Sequence, residues 1–404
     1  MKNLLNRANS RLLLILIAII FFALQGCKKD SSLSSSSGPP VITGVRNYVP
    51  SPGDSLLTRV GTGKWVVITG SNLKGALQIY FNGVKGSFND AWFSDTSAIV
   101  LMPAVIAFPL VEPSQLNTIR FVTTKGETTF SFPIVAPAPT ISGISNESAN
   151  PGDTVVIKGF NFFFIQRVSY AGVDVKGFTA ASDGTGIKMA VPASVSTPGP
   201  VIVTTKSGTA TTFYNVHDFA TGVLNNYDSI NTFAWGSDVS NNAVNFPGNN
   251  GNYGILKATN VPAGNGSWWE GGRSINTNEV QWVPAANLQD TLNNYSLKFE
   301  IAVKKPWTDG SIQIVKDFTF TYSAFYRPWK NANGSNAPFK TNGWQTVIVP
   351  LSNFLKNGLP AQTLTELLGS TGKGAINVTF TNDGATVVTD FEAAIDNIRI
   401  VKTR

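Results

Sequence analysis

An internal repeat constrains this chain more than any other feature. Pro40-Val41-Ile42-Thr43-Gly44 returns as Pro139-Thr140-Ile141-Ser142-Gly143, and Pro52-Gly53-Asp54 returns as Pro151-Gly152-Asp153. The run VVITGSNL from Val66 returns as VVIKGFNF from Val155. Farther on, Asn82-Gly83-Val84 matches Ala171-Gly172-Val173, and Val122-Thr123-Thr124-Lys125 matches Val203-Thr204-Thr205-Lys206. Matching blocks in one order define two copies of one unit over residues 40–216. The offset between them shrinks along the chain, so the first copy carries the longer loops. Each copy consists of short Val/Ile/Thr runs broken by Pro-Gly and Asn-Gly, which predicts antiparallel β-sandwiches with strands returning roughly every 8–12 residues.

The blocks resemble the immunoglobulin-like IPT/TIG domain, whose copies open with a Pro-x-Ile-x-x-Ile stretch, then Pro-Gly-Asp and a strand ending in Gly-x-Asn-Phe. Both copies keep that order, and the second is the closer match. The expected modules span residues 40–136 and 137–217. The resemblance implies that in a tandem they act as spacers, though some such domains bind partners, and neither copy shows a cluster of exposed-looking aromatics or acids.

Ahead of the repeat, Lys2, Arg7 and Arg11 precede an uninterrupted apolar run over residues 12–24. That run is shorter than the roughly 20 residues that span a bilayer but suits the apolar region of an export signal. The formal net charge of +7 therefore includes three positive charges that the mature chain is expected to lose. With no Lys/Arg cluster elsewhere, nothing supports nucleic-acid binding. Leu24-Gln25-Gly26-Cys27 resembles the lipobox of bacterial lipoproteins, which implies a signal peptide over residues 1–26 and lipidation of Cys27. Acyl chains contribute about 0.8 kcal/mol per buried methylene, so more than one chain anchors stably. Residues 27–39, rich in Ser, read as a flexible tether to the membrane surface.

The composition shifts near residues 217–221. Beyond it lie seven of the nine Trp, Trp235, Trp268, Trp269, Trp282, Trp307, Trp329 and Trp344, in an Asn-, Gly- and Thr-rich setting. Strand-like alternation over residues 295–303, 312–320, 344–349, 375–380 and 394–401, with one short helical possibility at 359–368, predicts a larger β-sandwich of jelly-roll type over residues 218–404. The fold class is thus all-β: two tandem immunoglobulin-like sandwiches followed by a jelly-roll-type sandwich. One Cys and one His exclude a disulfide framework and a Cys/His zinc site.

Aromatic side chains in polar surroundings suit sugar. The flat face of a pyranose presents C–H groups that an indole or phenol face can cover, while Asn, Gln, Asp and Arg bond the hydroxyls at the rim. Trp buries about 150–250 Å² with only two torsions to freeze. Trp329, within the polar stretch Arg327-Pro328-Trp329-Lys330-Asn331, is the first candidate platform residue, with Arg327 and Asn331 as hydroxyl partners. Tyr322 and Tyr326 share strand parity just upstream and extend the same surface. If Trp268 and Trp269 sit in an extended strand, they point to opposite faces, so at most one is a platform. Glu270 beside them is a hydroxyl acceptor, and Trp282 is a further candidate. Trp344 reads as a core residue, whereas Trp235 and Trp307 have no assigned place.

The order of features resembles the C-terminal xyloglucan-binding domain of surface glycan-binding protein B from Bacteroidetes polysaccharide-uptake systems. The resemblance rests on Lys298-Phe299-Glu300-Ile301, Lys305-Pro306-Trp307, Ile312-Gln313-Ile314-Val315, Arg327-Pro328-Trp329-Lys330, residues 342–350 and Asp396-Asn397-Ile398-Arg399-Ile400. It implies a lipoprotein exposed on the outer membrane that binds a plant-type polysaccharide, xyloglucan or another β-glucan or hemicellulose, without cleaving it. The implied partners are a TonB-dependent porter and a SusD-like protein. No cofactor is expected, although a structural calcium near Asp383, Asp390 or Asp396 would suit a jelly roll. One alternative is a glycoside hydrolase using Glu270 and Glu279, which would need carboxylates about 5–9.5 Å apart. The lone His217 has no evident nucleophile partner for a Ser/His/Asp triad. A purely structural adhesin is the other alternative, and the Trp enrichment of the last domain argues against it.

Overall fold

Two glycines show how closely the repeat is realised in space. A Cβ on Gly70 would lie 1.8 Å from the Val41 carbonyl oxygen, and one on Gly159 would lie 1.9 Å from that of Thr140. In both copies the first strand crosses the second so closely that only glycine fits. Both crossings carry the same β-bulge, at Ile42/Gly44 and at Ile141/Gly143. The computed structural model describes residues 38–404. The signal segment, Cys27 and most of the tether lie outside them.

The first unit runs to Pro103 and includes Asn117–Pro133. One sheet orders Val41–Asn47, Trp65–Ser71, Ser97–Leu101 and Ser87–Phe88, and the other orders Val84–Lys85, Ala76–Phe81, Thr118–Thr123 and Gly126–Ser131. The second unit, Ala104–Leu116 with Ile134–Arg404, contains the second copy and everything after it. That copy repeats the strand order, with Thr140–Ile144, Thr154–Phe160, Gly186–Ala190 and Phe178–Ala180 in one sheet. Its other sheet orders Val173–Asp174, Ile165–Tyr170, Val201–Thr205 and Gly208–Thr211.

The last domain is a sandwich of two larger antiparallel sheets, in keeping with the all-β expectation. One orders Asp238–Ser240, Tyr253–Val261, Val388–Lys402, Tyr295–Val303 and Gln345–Pro350, with Val223–Asn225 paired to the long strand. The other, called here the platform sheet, orders Phe233–Gly236, Ser274–Thr277, Ile376–Thr381, Ser311–Lys316, Ser323–Tyr326, Leu355–Lys356 and Leu359–Pro360. Leu297, Phe299 and Ile301 meet Ile312, Ile314, Val378 and Phe380 in the core between them. Each such buried side chain contributes about 1.5–3 kcal/mol. The expected helix at 359–368 is confined to Leu364–Leu368, where Thr363 caps the Glu366 amide. Among the described residues no helix is long and apolar enough to cross a membrane.

Strand Tyr295–Val303 is buried along its whole length, including the polar alternate positions. Among its outward side chains, Ala302 packs with Phe246 and Trp344 of the last domain, while Lys298 meets the second module. Lys298 Nζ lies 2.6 Å from one Glu147 oxygen and 3.1 Å from the Tyr214 ring centroid, and Arg399 bonds the other Glu147 oxygen at 2.9 Å. Arg399 also holds Glu300 at 2.7 and 2.9 Å, while Thr346 bridges the Glu147 amide and the Glu300 carboxylate. Two acids and two bases thus close a buried cluster that ties the second module to the last domain.

Asp396 lies beside that cluster. Burial, with the neighbouring charges of Glu300 and Asp228, pushes its carboxyl up to about 8, against bonding from the Asn397 amide and the charge of Arg399. A carboxyl raised in the folded state favours folding while it is protonated. Its contribution is complete below the ordinary carboxylate range and is lost as pH rises through about 8. Lys298, pushed down by burial to about 8, is charged in both states below that pH and acts only above it, with the opposite sign. Urea midpoints measured from pH 5 to 8 should therefore fall more steeply for the native chain than for Asp396→Asn. Parallel curves for the two proteins would refute this assignment.

Candidate functional site

The outer face of the platform sheet carries an exposed group of rings gathered from three places. Trp235 comes from the edge strand Phe233–Gly236, Trp268 and Trp269 from the turns after strand Tyr253–Val261, and Phe318 and Phe320 from the loop after Ser311–Lys316. Trp268 is the hub. Phe318 stacks on it at 5.2 Å and 20°, Phe320 lies at 5.8 Å, and Trp269 stands nearly perpendicular at 5.6 Å. Trp235 stacks on Phe318 at 5.9 Å and 17°. Trp269 is 58% and Trp235 46% exposed, so their faces are open to a ligand.

Both loops are held from beneath. The backbone has positive φ at Asp317, Phe318 and Phe320, an arrangement that costs about 1–3 kcal/mol per residue. The Phe318 amide bonds Asn377 Oδ1 at 2.8 Å, and Asp317 accepts the Ala375 amide at 2.6 Å, so the strained turn is pinned to the sheet. In the Trp loop, Arg273 is buried and bonds the Glu270 carbonyl, the Glu270 carboxylate and Asn265 Oδ1 at 3.1, 2.8 and 3.1 Å. It thereby clamps both ends of the segment that presents Trp268.

Next to the rings lies a groove of about 410 Å³, walled by Trp268, Phe320 and Phe325 with Gln313, Asn265 and Asp383. Phe325 faces outward because it pairs with Gln313, while its neighbour Tyr326 pairs with the core residue Ile312. The Arg327 guanidinium lies 4.4 Å over the Phe325 ring and pairs with Asp383, which also accepts from Ser311 at 2.6 Å. Apolar ring faces beside amide, hydroxyl and paired charged groups can cover a sugar face and bond its rim. Larger clefts of 480 and 680 Å³ run along the junction of the second module and the last domain, away from these rings.

Several expected site residues lie elsewhere. Trp329 is only 6% exposed, and its Nε1 donates to the Gly310 carbonyl at 2.8 Å. The polar stretch around it folds over the ring, with Ala337 bonding back to the Trp329 carbonyl, so local polarity hid a core residue. Trp282 is also core, bonded to the Gly374 carbonyl at 3.1 Å. Tyr322 and Tyr326 do share a side, but it is the inner one: Tyr326 packs on Phe299 and Trp307, and Tyr322 bonds Glu366. Asn331 closes its own turn with Ser335 at 3.1 Å. Trp268 and Trp269 both remain outside, because their segment is turns rather than the strand whose alternation would have buried one.

Trp344 is buried, in a small cluster with Phe246, Tyr253 and Ala394, and Trp307 lies in the main core. Trp235, Phe318, Phe320 and Phe325 were not singled out by sequence. The parity that turned Tyr326 inward could have pointed to Phe325. Asp383, Asp390 and Asp396 are separately engaged by Arg327, Lys305 and Asn397, and the described residues contain no metal-binding cluster of acids, His or Cys.

Along the chain, two immunoglobulin-like modules are followed by a jelly-roll-type sandwich with exposed rings on one sheet. Residues 217–402 match the family described as surface glycan-binding protein B xyloglucan binding domain, so the last domain is of that type, as its sequence suggested. An IPT/TIG domain-containing protein of Bacteroides ovatus is 31% identical over 170 residues, 42% of this chain and 34% of its own. The chain thus spans about a third of the length of that curated relative. Surface glycan-binding protein PbSGBP-B from Prevotella bryantii has the same fold, with TM-score 0.67 and 22% identity over 91% of this chain and 100% of its own. SGBP-B from a complex xyloglucan utilization locus of Bacteroides uniformis aligns with TM-score 0.50 and 20% identity over 90% and 99% of the two chains. The matched family is described by the binding of a glycan, not by its cleavage. Glu270 is tied to Arg273, and Glu279 follows the far end of strand Ser274–Thr277.

Proposed function

We propose that the chain is a cell-surface lipoprotein that holds a neutral plant-type polysaccharide, xyloglucan or a related β-glucan, on the Trp235/Trp268/Phe318 face. In this reading Trp269 and Phe320 extend the ring surface, while Glu270, Gln313 and Arg327 bond sugar hydroxyls. The observation that carries the reading is the exposed ring group centred on Trp268, in a domain of the glycan-binding protein B type. Lipidation at Cys27 and the Ser-rich tether place the domain at the outer membrane, and the two modules set its reach. The bound chain is passed to a TonB-dependent porter with a SusD-like partner. Affinity at one site is modest, and many copies on one surface raise retention through effective concentration.

Calorimetric titration of the mature protein with xyloglucan, mixed-linkage glucan, mannan and starch tests the proposal. Binding is expected with at least one of the two β-glucans and without release of reducing ends. Binding to none of the four would leave the adhesin alternative standing.

A further inference from the structure

The spacer reading leaves one surface of the first module unexplained. Tyr48, Trp65 and Trp92 are 53%, 38% and 51% exposed, yet they are gathered together. The Tyr48 and Trp65 ring centroids are 6.0 Å apart and those of Trp65 and Trp92 are 5.8 Å apart, tilted by 43° and 57°. Trp65 opens strand Trp65–Ser71, Tyr48 follows the strand paired with it, and Trp92 closes a short turn capped by Asn89. No packing demand accounts for them, because Val66, Ile68, Ile79, Phe81, Val100 and Phe121 already fill the core with no exposure. Exposed apolar patches of this kind mark binding surfaces.

Comparison with the second module sharpens the point. Within the repeat, Tyr48 stands where that module has Glu147, and Trp65 stands where it has Thr154. In the second module this edge is used for a charged, buried contact with the last domain through Glu147. In the first, the same edge is aromatic and open. The nearby Arg46 is neutralised by Asp54 at 2.7 Å, and one exposed residue of each sign, Lys64 and Asp90, flanks the rings. A patch without net charge, built of ring faces spaced on the scale of a pyranose residue, fits a neutral polymer with apolar faces and a hydroxyl rim.

We infer that Tyr48, Trp65 and Trp92 form a second carbohydrate-binding surface, which takes sugar residues of the same kind of neutral polysaccharide that the last domain holds. Its ligand class rests on the glycan reading of that domain, but its existence does not. Two sites on one chain make retention depend on polymer length, since a long glycan can engage both and an oligosaccharide only one.

Hydrogen exchange of the full mature chain, with and without xyloglucan and mixed-linkage glucan, separates the two sites. Peptides covering Tyr48, Trp65 and Trp92 should gain protection, and this should persist in Trp268→Ala and vanish in Trp92→Ala. In affinity electrophoresis, Trp92→Ala should weaken retention by long polysaccharide about tenfold or more, while oligosaccharide affinity at the Trp268 site stays unchanged. Protection confined to the Trp268 and Phe318 loops overturns the inference and leaves the main site intact. Protection confined to the first module supports the inference and overturns the main site. Protection at neither overturns both. Trp92-dependent self-association without glycan, seen by sedimentation, would reassign the patch to contact between copies and so overturn the inference.

Discussion

Trp268→Ala should remove most glycan affinity from the folded protein, whereas Trp329→Ala should destabilise the domain without selectively weakening the site. Trp268 touches four other rings and stands where the platform meets the groove. Its loss uncovers Phe318 and Phe320 and removes the wall that a sugar face would cover. Central aromatic anchors of this kind carry about 2 kcal/mol or more, so affinity should fall by roughly 30-fold or beyond. Trp329 is instead enclosed, with its indole N–H committed to Gly310. Replacing it leaves a cavity and an unpaired carbonyl, at about 3–5 kcal/mol. Calorimetric titration against xyloglucan, paired with thermal unfolding of each variant, reads the two effects. If Trp268→Ala binds normally while remaining folded, the platform is wrongly placed.

That contrast shows how much the sequence could reveal. The repeat was legible because its blocks encode backbone events: Gly70 and Gly159 mark close crossings, and Asn82-Gly83 and Ala171-Gly172 mark turns with positive φ. Strand Tyr295–Val303 was legible as alternation, but what covers its polar face was not, and the structure sets Lys298 there against Glu147 of the second module. Alternation reports two faces and cannot say what covers the second. The same limit misled the choice among Trp residues. Composition gathered seven of them into the last domain, yet the polar neighbours of Trp329 lie over its ring, while those of Trp268 lie beside it. Trp235 and Phe318 belong to one surface only because the antiparallel register brings distant strands and loops together. In the first module, two lone Trp and one Tyr looked unremarkable in sequence for the same reason.

The second large effect concerns the buried cluster at Glu147. Glu147→Ala leaves Lys298 enclosed without its carboxylate partner and Arg399 with Glu300 alone. Breaking one partner of a buried ion cluster costs about 3–5 kcal/mol, because the remaining charge has no water to turn to. The urea midpoint should fall sharply, and the second module and last domain should begin to unfold separately, giving two transitions in place of one. Glu147→Gln with Lys298→Met removes one charge of each sign and leaves the Arg399–Glu300 pair. That double variant should lose less than the sum of the two single variants. Oligosaccharide affinity should be unchanged in all of them, since the cluster lies on the sheet opposite the platform. A cost below about 1 kcal/mol for Glu147→Ala would mean that apolar packing, rather than the charges, joins the two domains. With the expected cost, the joint is a rigid tie: it fixes the direction in which the platform faces relative to the module that carries it, so a polysaccharide is presented at a set angle.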